Sequence, residues 1–359
     1  MQVGILGSGG AAFGAAALLH SMGHGAMLWS PSGRGTVELA ARSTLIARGA
    51  LEASFKPAVA NSCAQAVAEA DVVMLAVPGY GHKAIFDAAA PHIRAGQPFI
   101  ISSHVSFGAH YLAGLLAARN VEAPITAWST TLTTGKKLTP TEVQVNSVRA
   151  QVDMATLNDG GDGRQKSQQV CEQLFGQRFK LKEGLMAIAL SNLNPQNHLA
   201  ISLMNLTRME LGEDWNQGAH ITPAVGRLIE ALDLERLEIA KRFGVSVRTV
   251  QEHFSRSYPV ELSGVHEMNR EMVQKGIGGF GPKTAQSRYV LEDVPFGLVV
   301  TAKLARISGI PAPLHEAGIV TLSAAYGRDF ALENDLLRAL HIDGMSMEKL
   351  KHFAETGKR

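Results

Sequence analysis

The chain is poor in cysteine and in clustered charge. Its 359 residues include two cysteines, Cys63 and Cys171, too few for a disulfide framework and in no CxxC or Cys/His spacing that would hold zinc. That excludes a disulfide-stapled scaffold, fits a reducing cytoplasm and leaves no metal site visible. The formal net charge is +2 with no run of five like charges, so neither nucleic acid nor a membrane surface is expected as a partner. No stretch of 18 apolar residues occurs, so no transmembrane helix is expected, and the apolar N-terminus lacks the basic residues of a secretion signal. What is present is a 46% hydrophobic, 18% charged chain, long enough for two domains with sizeable cores. Small molecules are the expected partners, and pairing into a homodimer stays open.

The first informative segment is Gln2-Val-Gly-Ile-Leu-Gly7-Ser8-Gly9-Gly10-Ala11-Ala12, an apolar strand that turns through glycines into a helix of small residues. Gly7 suits the tight turn and Gly9 lets backbone approach a pyrophosphate. Ala12 stands where a third small residue packs helix on strand, with the phosphates on the helix N-terminus. Gly7, Ser8, Gly9, Gly10, Ala11 and Ala12 are therefore candidate dinucleotide-binding residues, against the plainer alternative of a close-packed helix start. A second strand ends at Ser30, roughly 20 residues on, where NAD-binding proteins usually carry an acid for the ribose hydroxyl. With Ser30, Ser32 and Arg34 there instead, two hydroxyls and a guanidinium suit a 2′-phosphate and favour NADP(H) over NAD(H). The alternative is a turn with a solvated arginine.

The first half alternates apolar strands with helical patterns. Strands are expected at 3–6, 26–30, 71–77, 98–102 and 125–128, which argues for a doubly wound parallel sheet of Rossmann type, followed by an all-α domain. The division is placed between 183 and 184. Segments 142–148 and 151–157 read as an antiparallel pair at the sheet margin, with a turn at 158–163. Strand ends on the ligand side place Val77, Pro78 and His104 among the cofactor residues, the last bordering the nicotinamide. In the second half a helix is expected from Thr222-Pro223 to Gly244, striped by Val225, Leu228, Ile229, Leu232, Ile239, Ala240 and Phe243. Others are expected near 246–257, 292–308, 313–326 and 346–355.

Two polar clusters carry chemistry. In Asn192-Leu-Asn194-Pro195-Gln196-Asn197-His198, polar groups enter an apolar helical region at a proline-marked helix start, and a histidine there suits proton transfer near neutral pH. The other reading is a hydrogen-bonded structural histidine, one of 13. In Arg288-Tyr289-Val-Leu-Glu292-Asp293-Val294, after a glycine-rich turn, Arg288 suits a substrate carboxylate and Asp293 a histidine, unless the two pair with each other.

With these motifs the chain resembles the opine dehydrogenases (octopine, nopaline and N-(1-carboxyethyl)norvaline dehydrogenases) over essentially its whole length. The family patterns Asn-x-Asn-x-x-x-His and Arg-Tyr-x-x-Glu-Asp-Val are both intact, and segments 221–226 and 233–236 are similar as well. The resemblance implies reductive condensation of an amino acid with a 2-oxo acid, or its reverse. It makes His198 and Asp293 the catalytic pair and Arg288 a substrate residue, with Thr130, Thr131 and Asn194 as further substrate contacts. The stretch 29–34 looks like the nopaline-type branch, which uses NADPH. Segments 102–106 and 128–134 depart from other members, leaving the substrates open. Ketopantoate reductases and 3-hydroxy acid dehydrogenases share the Ala76-Val77-Pro78 strand end, but they depend on a lysine that helix 184–206 lacks. A binding-only NADPH sensor is the remaining alternative.

Overall fold

The computed structural model describes residues 1–41, 43–157 and 163–357. The chain divides into two compact units, Met1–Ala189 with His352–Arg359, and Leu190–Lys351. The first unit thus takes back the end of the chain, which the sequence had left with the helical part.

Among the described residues twelve strands build the first unit: β1 Gln2–Leu6, β2 Gly25–Trp29, β3 Leu45–Gly49, β4 Ala53–Phe55, β5 Ala58–Val59, β6 Val72–Leu75, β7 Phe99–Ile101, β8 Ile125–Trp128, β9 Thr133–Thr139, β10 Glu142–Val148, β11 Val152–Leu157 and β12 Phe179–Leu181. Eight form one sheet in the order β12-β11-β8-β7-β6-β1-β2-β5. All its neighbours are parallel except β8 and β11. β6 is buried at every residue, as expected of a strand covered on both faces.

A second sheet, β4-β3-β10-β9, corrects the expected margin hairpin. β10 pairs with β9 and β3, while β11 joins the main sheet between β8 and β12. Alternating polarity marks both segments as strands but carries no information about partners. The expected turn that follows lies, at 158–162, outside the described residues. Helix Gly10–Ser21 touches both sheets. Its residues Ala12–Leu19 are all buried, which explains why it is apolar all round rather than striped.

The second unit is helical. Helix Pro223–Phe243 closes on Gly244 in the left-handed conformation, φ 76°, as the Thr222-Pro223 start and Gly244 end predicted. Its buried stripe also takes in Asp233 and Arg236. Segment 246–257 begins its helix only at Val250, behind a capping box of Thr249 and Glu252. The helix expected over 292–308 is present with a π-turn, Val294–Leu298, running into Val299–Ser308, and a separate short helix, Arg288–Leu291, precedes it. Pro295 in the π-turn has no N–H to continue a regular ladder. Among the described residues no helix is long and apolar enough to cross a membrane.

Candidate active site

In the first unit β1 runs into a turn at Gly7, where φ is +150° and an added Cβ would stand 2.2 Å from the Ala76 carbonyl oxygen and 3.2 Å from Val77 Cγ1. Only glycine fits that contact between adjacent strand ends. Val77 and Pro78 follow the end of β6. Gly9, the N-cap of helix Gly10–Ser21, offers no side-chain cap. A Cβ built on it meets nothing within 4 Å. Open space in front of an uncapped helix start with no acidic residue in its first turn is what a pyrophosphate requires. The residues present fit a dinucleotide.

The loop after β2 brings hydroxyls to the same place. A Cβ on Gly35 would lie 1.9 Å from Ser8 Oγ and 3.2 Å from Ser30 Oγ, so these groups converge on Gly35. Ser30 is buried, whereas Ser32 and Arg34 are exposed. Arg34 makes no ion pair among the described residues. Sequence reasoning missed Lys137 of β9. Its Nζ donates to the Ser8 carbonyl at 3.2 Å and the Gly35 carbonyl at 2.9 Å and lies 4.1 Å from the centre of the Phe13 ring. Strand β9 reaches this point because Gly10 and Gly14 leave room: added Cβ atoms would meet the Gly135 carbonyl at 3.1 Å and Thr133 Oγ1 at 2.4 Å. Nothing in the one-dimensional pattern ties residue 137 to residue 8.

His104 takes a different place from the one expected. Its ring is 1% exposed, without a hydrogen-bond partner, and sits edge-on to Phe107 at 6.4 Å. Burial, with His110 and His82 nearby, pushes its pKa well down. It is a neutral core group rather than part of an open surface. Its loop is unusual in backbone, with Ser103, Ser106 and Phe107 at positive φ. Thr130 and Thr131 lie half-buried in the loop between β8 and β9, and Thr131 Oγ1 donates to the Thr133 carbonyl at 3.0 Å.

In the second unit Asn192 Oδ1 accepts from the Asn194 backbone N–H at 3.1 Å, starting helix Asn194–Glu210 with proline in its first turn. Asn194 is half-buried. One turn on, His198 meets Asp293, the residue before the π-turn: Nδ1 to Oδ2 is 2.7 Å, with both side chains 9% exposed. This settles the alternative pairing, because Asp293 is joined to the histidine while Arg288 stays exposed with no ion pair among the described residues. Tyr289 stacks on the imidazole at 3.5 Å and 8°, its hydroxyl donating to Gln217 Oε1 at 2.6 Å. The face-on ring fixes His198 in rotation as Asp293 fixes it in tautomer. Burial lowers the His198 pKa, Asp293 raises it by charge and hydrogen bond, and Arg288 lowers it; the net shift is downward. The imidazole is therefore neutral at pH 7, Nδ1–H donating to Asp293 and Nε2 left as the base.

Two further buried networks occur in the second unit, involving Gln196 of the first polar cluster and the family-like segment 233–236. Gln196 Nε2 lies 3.0 Å from His315 Nε2, and His315 Nδ1 lies 2.7 Å from Glu235 Oε2. Arg236 donates through Nε and Nη2 to Asp233 Oδ1 at 2.8 and 2.7 Å, and also reaches the Leu190 and Arg248 carbonyls.

Comparison with known proteins shows what the chain is similar to. Residues 181–326 match the family model described as the NAD/NADP octopine/nopaline dehydrogenase alpha-helical domain. The chain is 30% identical over 357 residues to an opine dehydrogenase of Arthrobacter sp. (strain 1C), covering 98% of this chain and 97% of the relative. Among solved structures, an octopine dehydrogenase in complex with NADH and agmatine superposes with a TM-score of 0.81 at 17% identity, over 100% of this chain and 98% of that one. A yersinopine dehydrogenase with NADP+ bound gives 0.67 at 17% identity, over 99% and 97%.

Proposed function

This chain belongs to the opine dehydrogenase family, and we propose that it uses NADPH to reduce the C=N bond formed between an amino acid and a 2-oxo acid, with His198 as the proton-handling residue. The buried contact of 2.7 Å between His198 and Asp293 carries the reading. The glycine turn Gly7–Ala12 holds the cofactor pyrophosphate, and Val77 and Pro78 flank it. Ser30, Ser32 and Arg34 surround the adenosine ribose in place of the usual acid, which supports NADPH.

Amine attack on the oxo carbon gives a carbinolamine. Loss of its hydroxyl as water requires proton delivery, and His198 Nε2 takes the proton released by the amine and returns it to the departing hydroxyl. Asp293 stabilises the imidazolium that exists between those steps. Bound NADPH supplies the hydride to the imine carbon, and one proton completes the secondary amine. The product carries two carboxylates. Arg288, exposed and with no ion pair among the described residues, supplies a forked cation for one of them, and Asn194, Thr130 and Thr131 supply neutral donors. Cys63 and Cys171 are buried free thiols, in keeping with a reducing cytoplasm.

The deciding experiment follows NADPH and NADH oxidation across a grid of amino acids against pyruvate, 2-oxoglutarate, oxaloacetate and glyoxylate. Turnover that needs both organic partners and runs faster with NADPH is the expected result. Oxidation by an oxo acid alone would point to a hydroxy acid reductase, and cofactor binding without turnover to a sensor.

A further inference from the structure

We propose that Lys137, carried by the small four-stranded sheet, binds the 2′-phosphate of NADPH and sets the preference over NADH more than Arg34 does. The inference rests on the NADPH reading above. The Lys137 ammonium bridges the glycine turn and the loop after β2 through the Ser8 and Gly35 carbonyls. The hydroxyls of Ser8 and Ser30 converge on that same Gly35. The adenosine ribose of a bound dinucleotide lies where β2 ends, so the ammonium stands at the ribose end of the cradle.

Its surroundings are short of negative charge. Two of its three protons go to neutral carbonyls, the Phe13 ring covers another side, and no carboxylate pairs with it among the described residues. Burial lowers its pKa and no opposing charge raises it. A half-buried cation held by neutral groups alone is costly to keep. A phosphate taking the third proton would relieve that cost with a charge-assisted bond. The position is also fixed in advance. A Cβ on Gly10 would lie 3.2 Å from the Lys137 backbone nitrogen, so the strand rests directly on the helix start. Arg34 is exposed on a loop and must be ordered out of solvent on binding, which weakens its contribution.

The test measures dissociation constants for NADPH and NADH, and for 2′,5′-ADP against 5′-AMP, which differ only in the 2′-phosphate. Wild type, Lys137→Gln, Lys137→Met, Lys137→Arg and Arg34→Ala are compared, and melting of the ligand-free proteins checks folding. Lys137→Gln should weaken NADPH and 2′,5′-ADP by about 10- to 100-fold and leave NADH and 5′-AMP within about twofold, Lys137→Arg should largely keep the discrimination, and Arg34→Ala should lose less of it. Lys137→Met keeps the stem over Phe13 and serves if the glutamine variant does not fold. Equal weakening of both cofactors would make Lys137 a brace for the turn and overturn the proposal. So would discrimination lost in Arg34→Ala and kept in Lys137→Gln. Wild-type protein that binds NADH as tightly as NADPH would overturn the NADPH reading itself, before any variant is considered.

Discussion

Buried ionisable groups are handled in opposite ways in the two units. In the second unit each has an opposite partner: His198 with Asp293, His315 with Glu235, Arg236 with Asp233. In the first, His82, His104 and His110 are buried with no carboxylate facing them among the described residues. Burial takes both His82 and His110 down to about 4, against backbone hydrogen bonds that raise them, with Val77 for His82 and with Phe353, Ala354 and Phe107 for His110. Pairing lets a charged or titrating group persist away from water, where proton transfer needs one. Leaving a histidine unpaired makes it a neutral filler that must stay neutral for the unit to remain folded.

The contrast is broken most severely at His198. His198→Ala should lower kcat by about 10²- to 10⁴-fold, with NADPH affinity measured by titration unchanged because the imidazole is assigned to proton transfer and not to holding the cofactor; retention of most activity would remove His198 from the chemistry. Next comes Asp233→Ala, which leaves the Arg236 guanidinium buried without its partner. A loss of about 3–5 kcal/mol in urea unfolding is expected, and a loss below 1 kcal/mol would show that water or the two backbone carbonyls suffice.

Acid sharpens the comparison from the other side. His82 and His110 have folded pKa values depressed to about 4 from the ordinary 6.5, so their stability contribution is complete above pH 6.5 and is lost as pH falls from there towards 4. Each group accounts for up to about 3 kcal/mol over that range. Amide exchange at pH 7 and pH 5 should show the first unit opening more readily at the lower pH, by more than the second; equal change in both would contradict the distinction. The smallest effect is at Asp293→Asn. The imidazole then loses the charge that raises its pKa, while burial and Arg288 continue to lower it. A fall in kcat of about tenfold, with the acid limb of the pH profile displaced to lower pH, is the expected outcome. An unshifted limb would mean that Asp293 does not tune the histidine.

These variants probe features of unequal visibility in the sequence. The glycine turn, the helix from Pro223 to Gly244 and the strands β1, β2, β6, β7 and β8 were legible, because each depends on residues a few positions apart. The reach of β10 towards β9 and β3 was not, since a strand pattern names a face and not a neighbour. Arg288 and Asp293 showed the same ambiguity. Five residues apart, they invited a pairing that the fold prevents by bringing His198 to the acid from 95 positions away. Lys137 is an ordinary strand lysine in sequence and reaches the Ser8 and Gly35 carbonyls only because β9 lies on helix Gly10–Ser21.

By itself, then, the sequence determined the local geometry: where the chain turns at Gly7, where helix Pro223–Phe243 starts and stops, and which residue types stand ready for phosphate, carboxylate and proton. Torsional preference, capping and periodicity act within a few residues and can be read in one dimension. Tertiary structure decided which of those residues meet. The pairing of His198 with Asp293, the burial of His82, His104 and His110 away from any carboxylate among the described residues, and the delivery of Lys137 to a carbonyl 129 positions earlier all depend on packing between distant segments, where burial and desolvation rather than local propensity select the partner.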